Sequence, residues 1–311
     1  MEAVRDAFGK ALVEIGRHDK RIVVLDADLA SSTKVTYFAA EFPDRYFQVG
    51  IAEQNMTGIA AGLALMGRIP FTSTFGVFAS RRACDQVAMS IAHPRLPVKL
   101  VGAYSGILSG NNGATHQAVE DVAIMRAIPN MVVVDPADAV EMSQVVKAIV
   151  EYDGPVYLRM SRDAWPDVVP PDYTFKLGKS VLLRPGDTVA LVCSGMMASL
   201  CLEAASRLER QGISAMVLHM PTIKPLDIDS LVEAAEQTGC VVTAENHNVI
   251  GGLGSAVAEV LSEFCPVPVK KVGLQDTYGE CGSNEELLEK YGLSAAHIVK
   301  AALEVLERKK K

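Results

Sequence analysis

Short apolar runs rich in β-branched residues recur along the chain. In the first half they fall at residues 22–25, 98–101, 131–134 and 156–158, and in the second at 188–193, 215–218, 240–243 and 267–272. Stretches of helical period lie between them, among them 199–211 and 253–264. A strand apolar at every position has no face for water, so the pattern predicts parallel sheets covered by helices on both sides, an α/β fold. It breaks at Trp165-Pro-Asp-Val-Val-Pro-Pro-Asp-Tyr173, where three prolines remove backbone donors and turn their neighbours away from helix. The prediction is an α/β domain over 1–165, a linker over 166–177 and a second, smaller α/β domain over 178–311, two parallel or mixed sheets in all. A length of 311 residues, 49% of them hydrophobic, suits two cores better than one.

Charge narrows the function classes. The net charge of −7, with 22% charged residues, leaves no basic footprint for nucleic acid. No apolar run reaches the length of a membrane span, and the opening MEAVRDAFGK lacks the order of a signal peptide, so a cytoplasmic protein is expected. Six scattered cysteines, without C-x-x-C or zinc spacing, read as reduced and mostly buried thiols. Lys309-Lys310-Lys311 reads as a solvated helix end.

Three segments carry candidate chemistry. In Gly50-Ile-Ala-Glu-Gln-Asn-Met56, Glu53 stands among small and apolar residues at the start of a predicted helix over 53–66. A poorly solvated carboxyl group there suits proton transfer; a charge placed to complement the helix dipole is the plainer explanation. Phe71-Thr-Ser-Thr-Phe75-Gly-Val-Phe78-Ala-Ser-Arg-Arg82 holds three of nine phenylalanines beside two arginines. Those rings can stack on a flat heterocycle and the arginines can meet an anion, although core packing explains any single phenylalanine. Ser109-Gly-Asn-Asn-Gly-Ala-Thr-His-Gln117 is a polar, turn-rich loop after a strand, the usual place for a ligand in an α/β sheet, and it delivers His116.

In company these segments are more informative. Glu53, the Phe75/Phe78 pair, Gly-Ala-Thr-His-Gln, Arg126-Ala-Ile-Pro-Asn with Asp135-Pro-Ala-Asp138, Leu158-Arg-Met-Ser-Arg162 and Glu245-Asn-His-Asn-Val-Ile-Gly-Gly-Leu-Gly-Ser-Ala256 follow the order and spacing of transketolases. The sequence therefore resembles that family over nearly its whole length. The resemblance implies a pyrimidine-binding domain, then a transketolase C-terminal domain, and thiamine diphosphate as cofactor. It implies that Glu53 hydrogen-bonds and activates the aminopyrimidine, that Phe75 and Phe78 pack on that ring, and that Asp28 faces the cofactor. His116 would lie by the reacting hydroxyls, with Arg5, Ser32 and Arg162 at the phosphate end of the sugar; a surface salt bridge explains each of those three equally well. The reaction implied is transfer of a two-carbon ketol unit from a ketose to an aldose.

Transketolases hold diphosphate and metal with a Gly-Asp-Gly motif followed by Asn, and nothing here matches it; Gly186-Asp187 runs into Thr188 and reads as a turn. The chain thus resembles the second subunit of a split transketolase. Its partner would bind the diphosphate and Mg²⁺, this chain would supply no metal ligand, and an α₂β₂ complex is expected. Two departures concern the sugar: Asn112 stands where the family has Asp, and Tyr104 where it has His, which predicts a modified ketose as donor. The alternatives are the β subunit of a 2-oxoacid dehydrogenase E1 component, an enzyme like deoxyxylulose phosphate synthase, and a non-catalytic dinucleotide-binding module built on Gly251-Gly-Leu-Gly254.

Overall fold

The structure is a computed structural model that describes residues 1–309. In chain order its strands are β1 Ile22–Asp26, β2 Tyr46–Gln48, β3 Ile69–Phe75, β4 Lys99–Ala103, β5 Val132–Val134, β6 Val156–Met160, β7 Val181–Arg184, β8 Val189–Cys193, β9 Ala215–His219, β10 Thr222–Lys224, β11 Val241–Asn248 and β12 Val269–Leu274. They form a seven-stranded sheet, β10-β5-β6-β4-β3-β1-β2, and a five-stranded sheet, β12-β11-β8-β9-β7. Every pairing is parallel except two at the edges, β10 with β5 and β7 with β9. The sheets are mixed, and the central strands β1, β4, β6 and β8 are buried at every position, as helices on both faces require, with Asp26, Lys99 and Arg159 buried among their apolar residues.

Helices cover both faces of each sheet. On one face of the first, Val4–His18 packs beside Ala139–Glu151; on the other lie Glu53–Leu65 and the wide helical turns that follow β3. On the second sheet, Met197–Glu209 and Ala295–Lys309 take one face, Ile228–Thr238 and Leu253–Phe264 the other. Helix starts follow local chemistry. Asp138 accepts from the backbone N of Glu141 at 2.8 Å to cap Ala139–Glu151, and Ser283 with Glu286 forms a capping box on Asn284–Lys290.

The two halves are sewn together. Only Met220 and Pro221 separate β9 from β10, so the chain leaves the second sheet and at once adds an edge strand to the first. The proline-rich stretch is strapped to the first domain: Asp138 Oδ2 accepts from the backbone of Val168 and Val169, and Tyr173 donates to Glu141 Oε1 at 2.7 Å. At the seam Arg159, 2% exposed, donates to Asp121, Asp135 and the Asn246 carbonyl. The two carboxylates outweigh the cost of burial and hold the guanidinium firmly protonated.

Two minor expectations need correction. Only Cys193, Cys201 and Cys240 are buried, Cys84 and Cys265 are half-buried and Cys281 is exposed, because Cys281 lies on the irregular segment after β12 rather than in a core. Lys309 is more than a solvated end: its Nζ donates to the Thr238 carbonyl at 2.7 Å and ties the last helix to the end of Ile228–Thr238. Lys310 and Lys311 lie outside the described residues.

Candidate active site

The candidate residues gather at the C-terminal ends of adjacent parallel strands, where α/β sheets open a crevice. Asp28 follows β1, Phe75 ends β3, Tyr104 follows β4 and Arg162 follows β6, and these four strands are neighbours in the sheet. The backbone reverses sharply at two of these positions, with φ of 62° at Asp28 and 58° at Tyr104.

Glu53 is the first residue of its helix and only 1% exposed. Its Oε2 accepts from Arg82 Nη1 at 2.8 Å, whereas its Oε1 is buried without a hydrogen-bond partner. The Arg82 guanidinium in turn lies 4.1 Å from the centre of the Phe78 ring. The arginines expected to meet an anion both meet carboxylates of this chain, Arg82 at Glu53 and Arg81 at Glu120.

From Phe78 the contacts run through a cluster of rings. Phe75 and Phe78 stack at 6.0 Å, and His116 meets both edge-on at 5.7 and 5.4 Å. The Thr115 hydroxyl shares a 2.8 Å bond with His116 Nδ1, which leaves Nε2 as the ring nitrogen not taken up by that bond. Beyond Phe75, Tyr104 lies at 4.4 Å, and Arg5 Nη1 donates to its hydroxyl at 2.7 Å and to the Ser32 carbonyl at 3.4 Å. Arg162 stands 5.5 Å from the same tyrosine ring. Glu53, Phe78, His116, Phe75, Tyr104, Arg5, Ser32 and Arg162 thus form one continuous strip. A cleft of ≈ 600 Å³ opens beside it, bounded by Phe78, Arg82, Thr115 and Tyr278.

Asp28 and Asn112 stand apart from the strip. Asp28 is exposed, with its backbone N bonded to Gln48 Oε1, and Asn112 is exposed on a short helical turn. The buried carboxylate of the Asp26-Ala-Asp28 turn is Asp26. Burial raises its pKa against the pull of the Leu29 backbone, Gln48 and Tyr46. Sequence reasoning missed Asp26, the Thr115 bond and the pairing of Arg82 with Glu53, since residues 29 positions apart carry no spacing signal.

The strip fits the cofactor that the resemblance implies: a buried carboxylate oxygen without a partner beside flat aromatic faces suits a polar heterocycle. Among the described residues, no three His, Cys, Asp or Glu side chains gather as a metal site, and no helix is long and apolar enough to cross a membrane. The dinucleotide module does not fit. Glu245 accepts from the backbone N of Leu253 at 2.6 Å and of Gly254 at 2.9 Å, so the helix start that a pyrophosphate would need already holds a carboxylate. Gly252 is required there, because a Cβ would come within 2.0 Å of Glu245 Oε2.

Comparison with known proteins identifies the family. Residues 1–167 match the transketolase pyrimidine-binding domain and residues 178–298 the transketolase C-terminal domain. The chain is 49% identical, over 98% of its length and 95% of the relative's, to the 6-deoxy-6-sulfo-D-fructose transketolase subunit SqwH of Clostridium sp. (strain MSTE9). It is 38% identical to one subunit of the apulose-4-phosphate transketolase of Phocaeicola vulgatus, over 99% of both chains. A solved structure described as a split gene transketolase, inactive beta4 tetramer, superposes with a TM-score of 0.93 at 51% identity, over 99% of this chain and 100% of that one. With both halves matched in order and relatives of the same length, the chain belongs to the transketolase family.

Proposed function

We propose that this chain is the pyrimidine-side subunit of a two-chain transketolase, which moves a two-carbon ketol unit from a ketose to an aldose. The observation that carries the reading is Glu53: a buried carboxyl group with one oxygen fixed by Arg82, whose guanidinium lies on the Phe78 ring, and the other without a partner. Thiamine diphosphate, when bound, supplies the carbon nucleophile and electron sink for cutting and remaking the bond next to a ketone. Glu53 Oε1 would hold a proton against a ring nitrogen of the aminopyrimidine, and Phe75 and Phe78 would flank that ring, with Asp28 at the rim. His116 Nε2 would exchange protons with the sugar hydroxyls. Asn112 and Tyr104 would shape the donor pocket, and Arg5, Ser32 and Arg162 would hold the anionic end of the sugar.

We assign diphosphate and Mg²⁺ to a partner subunit, since this chain carries no Gly-Asp-Gly motif. An α₂β₂ assembly is the form we propose, with the active sites at the subunit contacts. The two relatives named as subunits support a partner, and their named sugars, one sulfonated and one phosphorylated, support an anionic ketose.

The test is reconstitution with the diphosphate-binding subunit, thiamine diphosphate and Mg²⁺, followed by assay of two-carbon transfer from a panel of ketose phosphates and modified ketoses. Transfer by the complex and none by the isolated chain is expected. Turnover by the chain alone, or pyruvate-dependent acyl transfer to a lipoyl group, would overturn the reading.

A further inference from the structure

The loop that delivers His116 belongs to the first domain but is gripped by the second. It consists of two short helical turns, Gly110–Asn112 and Ala114–His116, joined at Gly113 and too short to fix their own path. Where the chain leaves β4, Asn246 Oδ1 of β11 accepts from the backbone N of Ile107 at 3.1 Å. Where it returns, the Val119 carbonyl accepts from the backbone N of Asn248 at 2.8 Å. Between these points Gln117, 1% exposed, donates from Nε2 to two carbonyls. One is Ile107 at 2.8 Å, which closes the base of the loop, and the other is Glu280 at 2.9 Å, on the irregular segment after β12. At the tip the Cys281 thiol lies against Gly113. The flanking Ile107, Leu108 and Val119 are buried in one apolar core with Leu191, Cys193 and Leu274 of the second sheet.

The first domain holds the loop less firmly. Arg162 Nη1 reaches the Ser109 carbonyl at 3.4 Å, and Phe75 and Phe78 meet only the imidazole, edge-on. Every side chain of the strip comes from the first domain, yet the backbone under His116 is anchored in the second. Glu53, Phe75 and Phe78 take no part in these anchoring bonds. A proton-exchanging group moved by about 1 Å forfeits on the order of 100-fold in rate.

We propose that Asn246 and Gln117 are positioning residues, through which the second domain sets the place of His116 and so the rate of two-carbon transfer. The inference rests on the transketolase reading given above. The test is a double-mutant cycle in the reconstituted complex with thiamine diphosphate and Mg²⁺, read by single turnover. Asn246→Ala removes the acceptor for the Ile107 N–H. Gly279→Ala, on the irregular segment after β12, drives a methyl group into Gln117 Oε1 from the second domain, and it decides the matter if Asn246→Ala does not assemble. Each is expected to lower the transfer rate by at least about tenfold, with the KM for the ketose donor changing less than about threefold. Amide exchange across residues 109–117 should quicken. Thiamine diphosphate affinity, read by calorimetric titration, should stay within about twofold of wild type. In a His116→Ala background no imidazole remains to be misplaced, so each substitution should cost less than about twofold more. Full additivity with His116→Ala, a wild-type rate in Gly279→Ala, or cofactor affinity falling in step with rate would overturn the inference and leave the transketolase reading standing. Absence of two-carbon transfer by the wild-type complex would overturn that reading, and the inference with it.

Discussion

Glu53 shares one carboxylate oxygen with Arg82 and keeps the other free: Oε2 accepts from Nη1 at 2.8 Å, and Oε1 is buried without a partner. Gln at this position preserves shape and the hydrogen bond from Arg82 but loses the exchangeable proton. Glu53→Gln should therefore lower two-carbon transfer in the reconstituted complex by at least ~100-fold. The melting temperature should stay within a few degrees of wild type. A variant that keeps more than about a tenth of the wild-type rate would rule out proton transfer through this carboxyl group.

Arg159 is the buried tie between the domains, and its loss would leave Asp121 and Asp135 as uncompensated charges. Arg159→Met is expected to destabilise the chain by about 3–5 kcal/mol in urea unfolding. Because the Asn246 carbonyl loses a donor as well, the second domain should also loosen, visible as faster amide exchange across β11. Unchanged exchange there would show that β10 and the strapped linker suffice to hold the halves together.

The His219–Glu141 pair sets a pH window. Both side chains are buried, 2.8 Å apart. Burial alone would lower the imidazole pKa, but the Glu141 carboxylate outweighs it, so His219 is raised above its ordinary 6.5; burial would raise Glu141, and His219 reverses that, so Glu141 falls below its ordinary 4.5. A raised histidine contributes stability that is complete below 6.5 and lost as pH climbs through the folded value. A lowered glutamate contributes above 4.5 and loses it as pH falls through the folded value. The stability gap between wild type and His219→Gln should accordingly be widest between 4.5 and 6.5 and shrink on both sides. A gap that grows steadily above neutral pH would contradict the ion pair.

Gly252 is fixed by the carboxylate that caps its helix. A methyl group there would displace Glu245 from the backbone N–H groups of Leu253 and Gly254. Gly252→Ala should cost about 1–3 kcal/mol, read by denaturant unfolding. Restored stability in Gly252→Ala with Glu245→Asp, whose shorter side chain makes room, would identify the clash as the cause.

The fold was legible where strands are long and wholly apolar. The run at 22–25 became β1 and the helix at 253–264 kept its bounds, because burial on both faces writes itself into composition. It was not legible at β10, whose three residues Thr222-Ile-Lys224 form a strand only because Val133 and Val134 of the other half offer an edge. β3 was missed for a related reason. Thr72, Ser73 and Thr74 lie buried in it, and the polar run disguises a central strand. Among the motifs that carried the resemblance, Arg126, Asp135, Glu245 and Asn246 turned out to serve the seam between the halves or the cap of a helix.

The sequence by itself determined which residue types reach the strand ends, that a carboxylate opens the helix at Glu53, and that no diphosphate motif accompanies it. Spacing along a chain encodes burial and local turns, so those features needed no coordinates. Which atoms meet was decided only by the tertiary structure. Arg82 comes to Glu53 and Arg5 comes to Tyr104 across 29 and 99 positions, because neighbouring parallel strands end at one edge of the sheet and the loops there fold over one another. The free oxygen of Glu53 and the free Nε atoms of Arg5 and Arg162 are products of that packing.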